Sequence, residues 1–260
     1  KDTLSLHDAL PISRAIGGKA RRIEFQATDP TFNCSPQALE AGIDDHERDK
    51  AGEENLTMLQ EAKVNTVVTN AAISHEAKVF NAINAGLPAT GGVGAWSSDD
   101  NDPVEDIDQM IQAISDECGM MPNRIAFGLS AWRIFRNHPK VIARQPGAAV
   151  VGLNTQQAAQ MSLNPGIEIR VGVLSKDANK FGKAKNASNI VGGEVYIFFG
   201  SDNPTTYDPS FAKTFMVRQG GVDTVREYRD DSARSDIYAV DWTEDIQVVG
   251  SACARRITLS

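Results

Sequence analysis

The 260-residue sequence has few cysteines and no long apolar run. Its three cysteines, Cys34, Cys118 and Cys253, are far apart and form no CxxC pair. This spacing argues against a disulfide framework and a zinc site, so the sequence predicts separate thiols in a reducing compartment. No run of about 18 apolar residues is present, which predicts no transmembrane helix. Charged residues and a proline interrupt residues 4–12, so no secretory signal is predicted there.

Positive charge is also scarce. The chain has 26 Lys and Arg against 34 Asp and Glu, a formal net charge of −8. Tight binding to nucleic acid depends on Lys and Arg that neutralise phosphates. The composition therefore argues against a dedicated nucleic-acid-binding protein, and any contact with DNA is expected to be loose and non-specific.

Metal and cofactor motifs are weak or missing. Three of the four histidines, His46, His75 and His138, lie in polar contexts without the spacing of metal ligands, so we expect them to be structural or solvated. The glycine-rich residues 91–94 lack the Lys-Ser/Thr of a phosphate-binding loop. The acidic residues 99–102 lack the spaced oxygens of a calcium loop. We therefore predict no metal and no cofactor.

One serine resembles a nucleophile at first sight. Gly128-Leu129-Ser130-Ala131 begins like a nucleophile elbow, but Trp132 occupies the position of the final glycine. A helix N-cap explains Ser130 equally well. The sequence therefore predicts no catalytic residue, and a serine hydrolase that uses Ser130 is a distant alternative.

The pattern of apolar residues predicts an α+β chain, with helices early and strands late. Residues 49–84 form an apolar stripe typical of one long helix, with a break expected near Asn70–Ser74. At about 1.5 Å per residue this helix would be roughly 50 Å long, more than a compact domain of this size needs. Asp102, Pro103 and Gly119 predict the start and end of a second helix.

The remaining predicted elements are short. Helices are expected at Ser130–Asn137 and Thr155–Ser162, and Ser175–Ser188 is predicted to be a loop. Strands are predicted at Arg21–Ala27, Gln37–Ile43, Arg124–Gly128, Ile167–Leu174, Glu194–Phe199, Thr214–Gln219, Val222–Arg229, Ile237–Thr243 and Ile246–Ile257.

The first residues have an unusual origin. Thr3–Ile12 matches, residue for residue, one reading frame of a common short-read sequencing adapter, and the chain begins with Lys1. We therefore predict that residues 1–13 are a sequencing artefact and that they pack poorly. The natural protein is expected to continue upstream.

Three segments, in this order and spacing, resemble the major capsid proteins of tailed bacteriophages. They are Trp96–Ile107, Gly119–Pro139 and Ser235–Trp242. The resemblance implies the HK97-type capsid fold, an α+β fold with a projecting E-loop, a peripheral domain with a long spine helix, and an axial domain. Mapped by the resemblance, residues 14–46 are an E-loop remnant, 47–102 with 238–260 the peripheral domain, and 103–237 the axial domain.

The resemblance also implies a function. The chain is expected to self-assemble into the icosahedral shell around a phage genome, without enzymatic activity, and to be found in the virion and, during assembly, in the host cytoplasm. Expected partners are copies of itself in pentamers and hexamers, with scaffolding, portal and decoration proteins, but no membrane. Because the E-loop remnant is incomplete, this 260-residue form alone is not expected to build closed shells.

Seven charged residues and one phenylalanine, near both ends of the chain, are the candidate assembly residues. Those around residue 230 form a run of mixed sign that is typical of a surface or subunit-interface ion network. The predicted assembly residues are Arg21, Arg22, Glu24, Phe25, Glu47, Arg226, Arg229 and Arg234.

Two further readings stay open. An encapsulin-like shell protein of a cellular nanocompartment would have the same fold, and neighbouring genes would separate it from a phage protein. A secreted or cell-surface binding module is disfavoured by the missing signal and cysteine pattern.

Overall fold

The computed structural model describes residues 33–144, 152–177, 179, 183–203, 205, 208–216 and 224–259. The helices are α1 (Asp45–Gly86), α2 (Pro103–Cys118), α3 (Leu129–Asn137), α4 (Pro139–Ala143) and α5 (Thr155–Met161). The strands are β1 (Ser35–Asp44), β2 (Arg124–Gly128), β3 (Glu168–Gly172), β4 (Ser175–Asp177), β5 (Ala187–Asn189), β6 (Glu194–Phe198), β7 (Ala212–Met216), β8 (Val225–Asp230), β9 (Ser235–Val248) and β10 (Ala254–Thr258). The predicted strand Arg21–Ala27 and the candidate residues Arg21, Arg22, Glu24 and Phe25 lie outside the described residues.

The strands form two four-stranded sheets and a small hairpin. In the first sheet β9 is central, with β1 antiparallel on one side and β8 and β7 antiparallel on the other. The second sheet has the order β10-β6-β2-β3, in which only β2 and β3 are parallel. The hairpin pairs β4 with β5.

The two sheets do not follow the division predicted for the chain. Strands β7 and β8 lie within residues 103–237 but pair with β9. Strand β10 lies within residues 238–260 but pairs with β6 in the second sheet. The chain therefore passes between the two sheets more than once.

The long helix is present, but its break lies elsewhere than predicted. Gly52, at φ 70 and ψ 167, interrupts α1, a backbone conformation that glycine adopts without a Cβ clash. Lys63 Nζ lies 3.1 Å from Glu47 Oε1, whereas 16 residues of straight helix would separate them by about 24 Å. The chain therefore bends sharply at Gly52. The break predicted at Asn70–Ser74 is wrong, because buried Ala71 keeps that stretch helical against the first sheet.

Helix α2 confirms the predicted boundary residues. The Asp102 carboxylate accepts hydrogen bonds from the amides of Val104 (3.2 Å) and Glu105 (3.5 Å), and Pro103 begins the helix. Gly119 ends it in the left-handed conformation, at φ 71. The buried face of α2 then packs into the main core with β2, β6, β10 and α3.

A second, smaller cluster joins α1 to the first sheet. Val67 and Ala71 of α1 pack on Val240 and Trp242 of β9, with Leu39 of β1 partly buried beside them. Val240 and Trp242 lie on the same face of β9 because they are two residues apart, and Val67 and Ala71 lie on the same face of α1 because they are four apart. The predicted strand and helix periodicities therefore account for this contact.

Three predicted local features are wrong. Ser130 is not an N-cap, because Gly128 leads straight from β2 into α3 without a side-chain cap and Ser130 lies exposed inside the helix. The segment Ser175–Ser188, predicted as a loop, contains β4 and most of β5. The predicted gap between Thr243 and Ile246 is also missing, since β9 is one strand of 14 residues.

The cysteine prediction is wrong as well. Cys118 and Cys253 form a disulfide across 135 residues of sequence, while Cys34 remains a free thiol. Such a pair has no local spacing signature, because it is the contact between the end of α2 and the 3-10 turn Ser251–Cys253 that brings the two residues together.

Candidate assembly surface

Charged residues cluster where α1 begins beside the β8–β9 turn. Arg229 of β8 donates to both oxygens of Asp45, at 2.8 and 2.7 Å, and to Asp236 of β9 at 3.1 Å. Arg48 lies on the other side of the same carboxylates, 2.7 Å from Asp45 and 2.9 Å from Asp236. We call these four residues, Asp45, Arg48, Arg229 and Asp236, the arginine–aspartate network.

The network changes the ionisation of its members. Hydrogen bonds from Arg229, followed by the charges of Arg229 and Arg48, hold the pKa of Asp45 below its usual range, although partial desolvation opposes this. The pKa of Arg229 is raised, chiefly by its hydrogen bonds to Asp45 and Asp236. Single exposed ion pairs contribute little stability, but a shared network fixes the geometry of its partners. It joins the start of α1 to β8 and β9.

Of the other predicted assembly residues, the three that the structure describes are Arg234, Glu47 and Arg226. Arg234 adopts φ 49 in the β8–β9 turn, and its carbonyl accepts a 3.0 Å hydrogen bond from the Asp45 amide. Glu47 pairs with Lys63 across the bend at Gly52. Arg226 pairs with Asp241 at 3.0 Å and lies over the Tyr228 ring. The structure thus brings Arg229, Arg234 and Glu47 to one region and leaves Arg226 farther along β8.

A second charged cluster was not predicted from the sequence. Glu244 of β9 is buried, with only 1% of its side chain exposed, and its carboxylate contacts His75 of α1. Lys78, one helical turn further, lies 3.4 Å from the other Glu244 oxygen and also contacts Gln37 of β1. The cluster therefore links α1, β1 and β9 beneath the helix.

Burial and charge act against each other at Glu244. Burial alone would raise the pKa of this carboxyl, but its hydrogen bonds, including that with His75, and the charges of His75 and Lys78 lower it overall. The period-two alternation Val240, Trp242, Glu244 could have indicated that Glu244 faces inward. Because Glu244 was predicted to lie in a gap between two strands, the alternation was not extended to it.

Two residues of the motifs considered in the sequence, a candidate metal-ligating histidine and the first glycine of the elbow-like segment, have structural roles. His138 is buried and caps α4, with its Nδ1 accepting from the Lys140 amide (3.3 Å) and its Nε2 donating to the Ser98 carbonyl (3.2 Å). Gly128 packs so closely on the Gly192 carbonyl that a Cβ would not fit, which accounts for the first glycine of the elbow-like sequence. Within the described ranges, no group of three His, Cys, Asp or Glu side chains could hold a metal ion.

Several elements of the described structure are largely exposed to solvent. Over the 42 residues of α1, Val67, Ala71 and Ile83 are the buried positions among those described, and Met58 is 70% exposed. Strands β4 and β5 are exposed at every described position. A search of the described helices for one long and apolar enough to cross a membrane gives none.

Solved structures similar to this one come from phages and related particles. A phage-related protein from Bordetella bronchiseptica is 26% identical, with a TM-score of 0.74, covering 92% of this chain and 80% of that one. The capsid of the Myoviridae phage XM1 has a TM-score of 0.55 at 10% identity, covering 92% and 81%. A virus-like particle from Pyrococcus furiosus has a TM-score of 0.53 at 11% identity, covering 95% and 83%.

These similarities confirm the predicted α+β fold of the HK97 type. A search among curated protein sequences found no match. The model of the family described as phage major capsid protein E matches residues 56–191, just over half of the 260 residues. The match runs from α1 through β5 and includes the first two of the three segments on which the resemblance was based, whereas Ser235–Trp242 lies beyond it. The chain therefore belongs to the phage major capsid protein E family.

Proposed function

We propose that this chain is the shell-building subunit of a tailed phage and self-assembles into an icosahedral capsid around the genome. The family match over residues 56–191 carries the proposal. The fold shared with the capsid of phage XM1 supports it. The subunit acts by binding copies of itself, and we propose no enzymatic activity and no cofactor.

The exposed elements fit a subunit whose partners are other subunits. A 42-residue helix with only a few buried positions and an all-exposed β4–β5 hairpin bury little apolar surface within one chain. A two-stranded hairpin is marginally stable alone in water. Contacts from neighbouring subunits would cover these surfaces and offset the cost of ordering them.

We propose the division implied by the family, adjusted to the observed sheets. Of the predicted E-loop remnant, the described residues 33–46 belong to the E-loop region, and 47–102 with the strands β7, β8 and β9 form the peripheral domain around α1. The axial domain is built from α2 to β6 together with β10. Strand pairing supports this division, because β7 and β8 pair with β9, whereas β10 pairs with β6.

We further propose that the arginine–aspartate network positions the base of the E-loop region. It fixes the end of β1, through Asp45 and the pairing of Asp44 with Ser235, onto the β8–β9 turn. The predicted assembly residues Glu47, Arg226, Arg229 and Arg234 make their described contacts within one subunit. We propose that these residues act in assembly by holding this part of the subunit in place.

Other partners follow from the same proposal. The mature subunit would lie in the virion, and newly made subunits in the host cytoplasm with scaffolding and portal proteins, and decoration proteins could join the finished shell. The net charge of −8 supports only loose contact with packaged DNA, because phosphate binding depends on Lys and Arg.

An encapsulin-like nanocompartment is the second candidate, supported by the similarity to a virus-like particle of a cellular organism. The neighbouring genes separate the two. Terminase, portal and tail genes beside this one would support the phage capsid, and a cargo-enzyme gene would support the nanocompartment.

Sedimentation velocity tests self-association directly. Protein from the complete gene should sediment as pentamers, hexamers or larger particles whose proportion rises with concentration. A single monomeric species at every concentration, with a scaffolding partner present, would overturn the proposal.

A further inference from the structure

A covalent link joins α2 to the last described strand. Cys118 is the final residue of α2, and Cys253 ends the 3-10 turn that leads into β10. Their Cα atoms are 5.2 Å apart although 135 residues separate them in sequence. Both residues are nearly inaccessible, at 6% and 1% exposure. The bond therefore lies inside the main core, between a central helix and an outer strand of the second sheet.

Other contacts hold the same two segments together without the bond. Strand β10 pairs with β6 from Ala254 to Thr258, and Ile257 is fully buried. Glu117, next to Cys118, forms an ion pair with Arg255, two residues beyond Cys253. The Phe199 amide donates a 3.0 Å hydrogen bond to the Cys253 carbonyl. None of these contacts involves the two sulfur atoms, so none of them requires the bond.

We propose that Cys118 and Cys253 form a redox-controlled lock, which closes after the subunit has folded with both thiols reduced. The lock goes beyond the proposed function, because it acts within one subunit and does not depend on assembly. Its effect is to stabilise the folded subunit by restricting the unfolded chain over a long loop, while the folded structure stays the same.

The oxidant is a small-molecule disulfide. The thiolate of one cysteine attacks the oxidant, forming a mixed disulfide and releasing one small thiol, and the second thiolate then displaces the other small thiol. Two protein thiols are oxidised, and one small disulfide is reduced to two thiols. Because both sulfurs are buried, each exchange requires local opening near β10, so the reaction is slow in the folded protein.

The test compares the full chain after incubation with glutathione disulfide and after incubation with a phosphine reductant. With three cysteines per chain, and with Cys34 also able to form a mixed disulfide with glutathione, thiol titration in denaturant should give at most one thiol after oxidation and three after reduction. Peptide mapping should show Cys118 linked to Cys253. The melting temperature should be higher in the oxidised protein by about 5 °C or more, and the circular dichroism spectra should agree.

Two variants provide the controls. The double variant Cys118→Ala/Cys253→Ala should melt at the same temperature under both conditions. Cys34→Ala, which removes the free thiol, should keep the full difference. If the double variant fails to fold, the comparison of the oxidised with the reduced parent still tests whether the bond stabilises the subunit.

Three results would overturn the lock. Three free thiols after oxidation would show that the bond does not form. An unchanged melting temperature with the bond mapped would show that it does not stabilise the subunit. An unfolded reduced protein would show that folding needs the bond. Each readout is independent of shell formation, so a failure here is distinguishable from a failure of the proposed function.

Discussion

Glu244 has a role that depends on residues far away in the sequence. Its partner His75 is 169 residues earlier, and Lys78 is 166 residues earlier. Nothing in the local sequence around Asp241–Asp245 indicates these partners. By contrast, the cap of α2 could be predicted, because Asp102, Pro103 and Gly119 act on backbone groups within a few residues. The Cys118–Cys253 bond was missed for the same reason, because its two residues are 135 positions apart in the sequence.

Glu244 should make stability depend on pH. Its pKa in the folded protein lies below the usual value of 4.5, so its contribution is fully present above that value and is lost as the pH falls through the lower, folded value. We predict that Glu244→Gln lowers the free energy of unfolding at pH 7, and that the difference from the parent shrinks on acidification below about 4.5. Urea unfolding at several pH values measures this.

Glu61→Gln is the matched control, since Glu61 is exposed on α1. It should follow the parent at every pH. A Glu244→Gln difference that stays constant down to pH 3 would contradict the assignment of a charged, partnered carboxylate.

Ile111 tests the buried face of α2. Its side chain is fully buried in the main core. Ile111→Asp should cost about 4 kcal/mol or more, because it buries an unpaired charge. Thermal unfolding should show a large loss, whereas Met58→Asp, at a position 70% exposed on α1, should melt like the parent. An Ile111→Asp variant that melts normally would show that the helix face is assigned wrongly.

At the scale of elements, periodicity located most helices and strands, but not their interruptions. The stripe of α1 predicted the helix, yet its break depends on the single residue Gly52, where glycine can take a conformation that other residues avoid. The continuity of β9 depends on β1 and β7, which both pair with Glu244 at the predicted gap. Sheet partners are not visible in a local pattern, so the gap was predicted wrongly.

The bend at Gly52 can be tested by one substitution. A Cβ there meets no atom within 4 Å, but φ is +70, so Gly52→Ala should destabilise the subunit by backbone strain alone, about 1 kcal/mol. Gly91→Ala is the control, because its Cβ also meets nothing and no positive φ is present. Equal urea midpoints for the two variants would contradict a bend that requires the left-handed region.

The arginine–aspartate network can be tested at the same scale. Arg229→Glu replaces the donor shared by Asp45 and Asp236 with a like charge. We predict folded subunits with reduced particle yield, measured by circular dichroism and sedimentation. Arg170→Glu is the control, since Arg170 is 80% exposed and pairs with nearby Glu168. Normal particle yield from Arg229→Glu would contradict the proposed positioning role.

At the scale of the whole molecule, the resemblance of three short segments correctly predicted the fold and family. Composition gave a narrower indication, because the excess of acidic residues argued against tight DNA binding. Neither could locate the surfaces that meet other subunits, because those contacts lie between chains. The four candidate residues among 14–46 are outside the described structure, so their assembly role stays a prediction.

Electron microscopy of particles is the most direct test of the shell-building role. Protein from the complete gene, expressed alone and together with any scaffolding protein that a neighbouring gene encodes, should form closed particles of uniform size with icosahedral symmetry. A reconstruction should place α1 and the β4–β5 hairpin in contacts between subunits. A stable monomer under every condition, with the scaffolding partner present, would contradict the account.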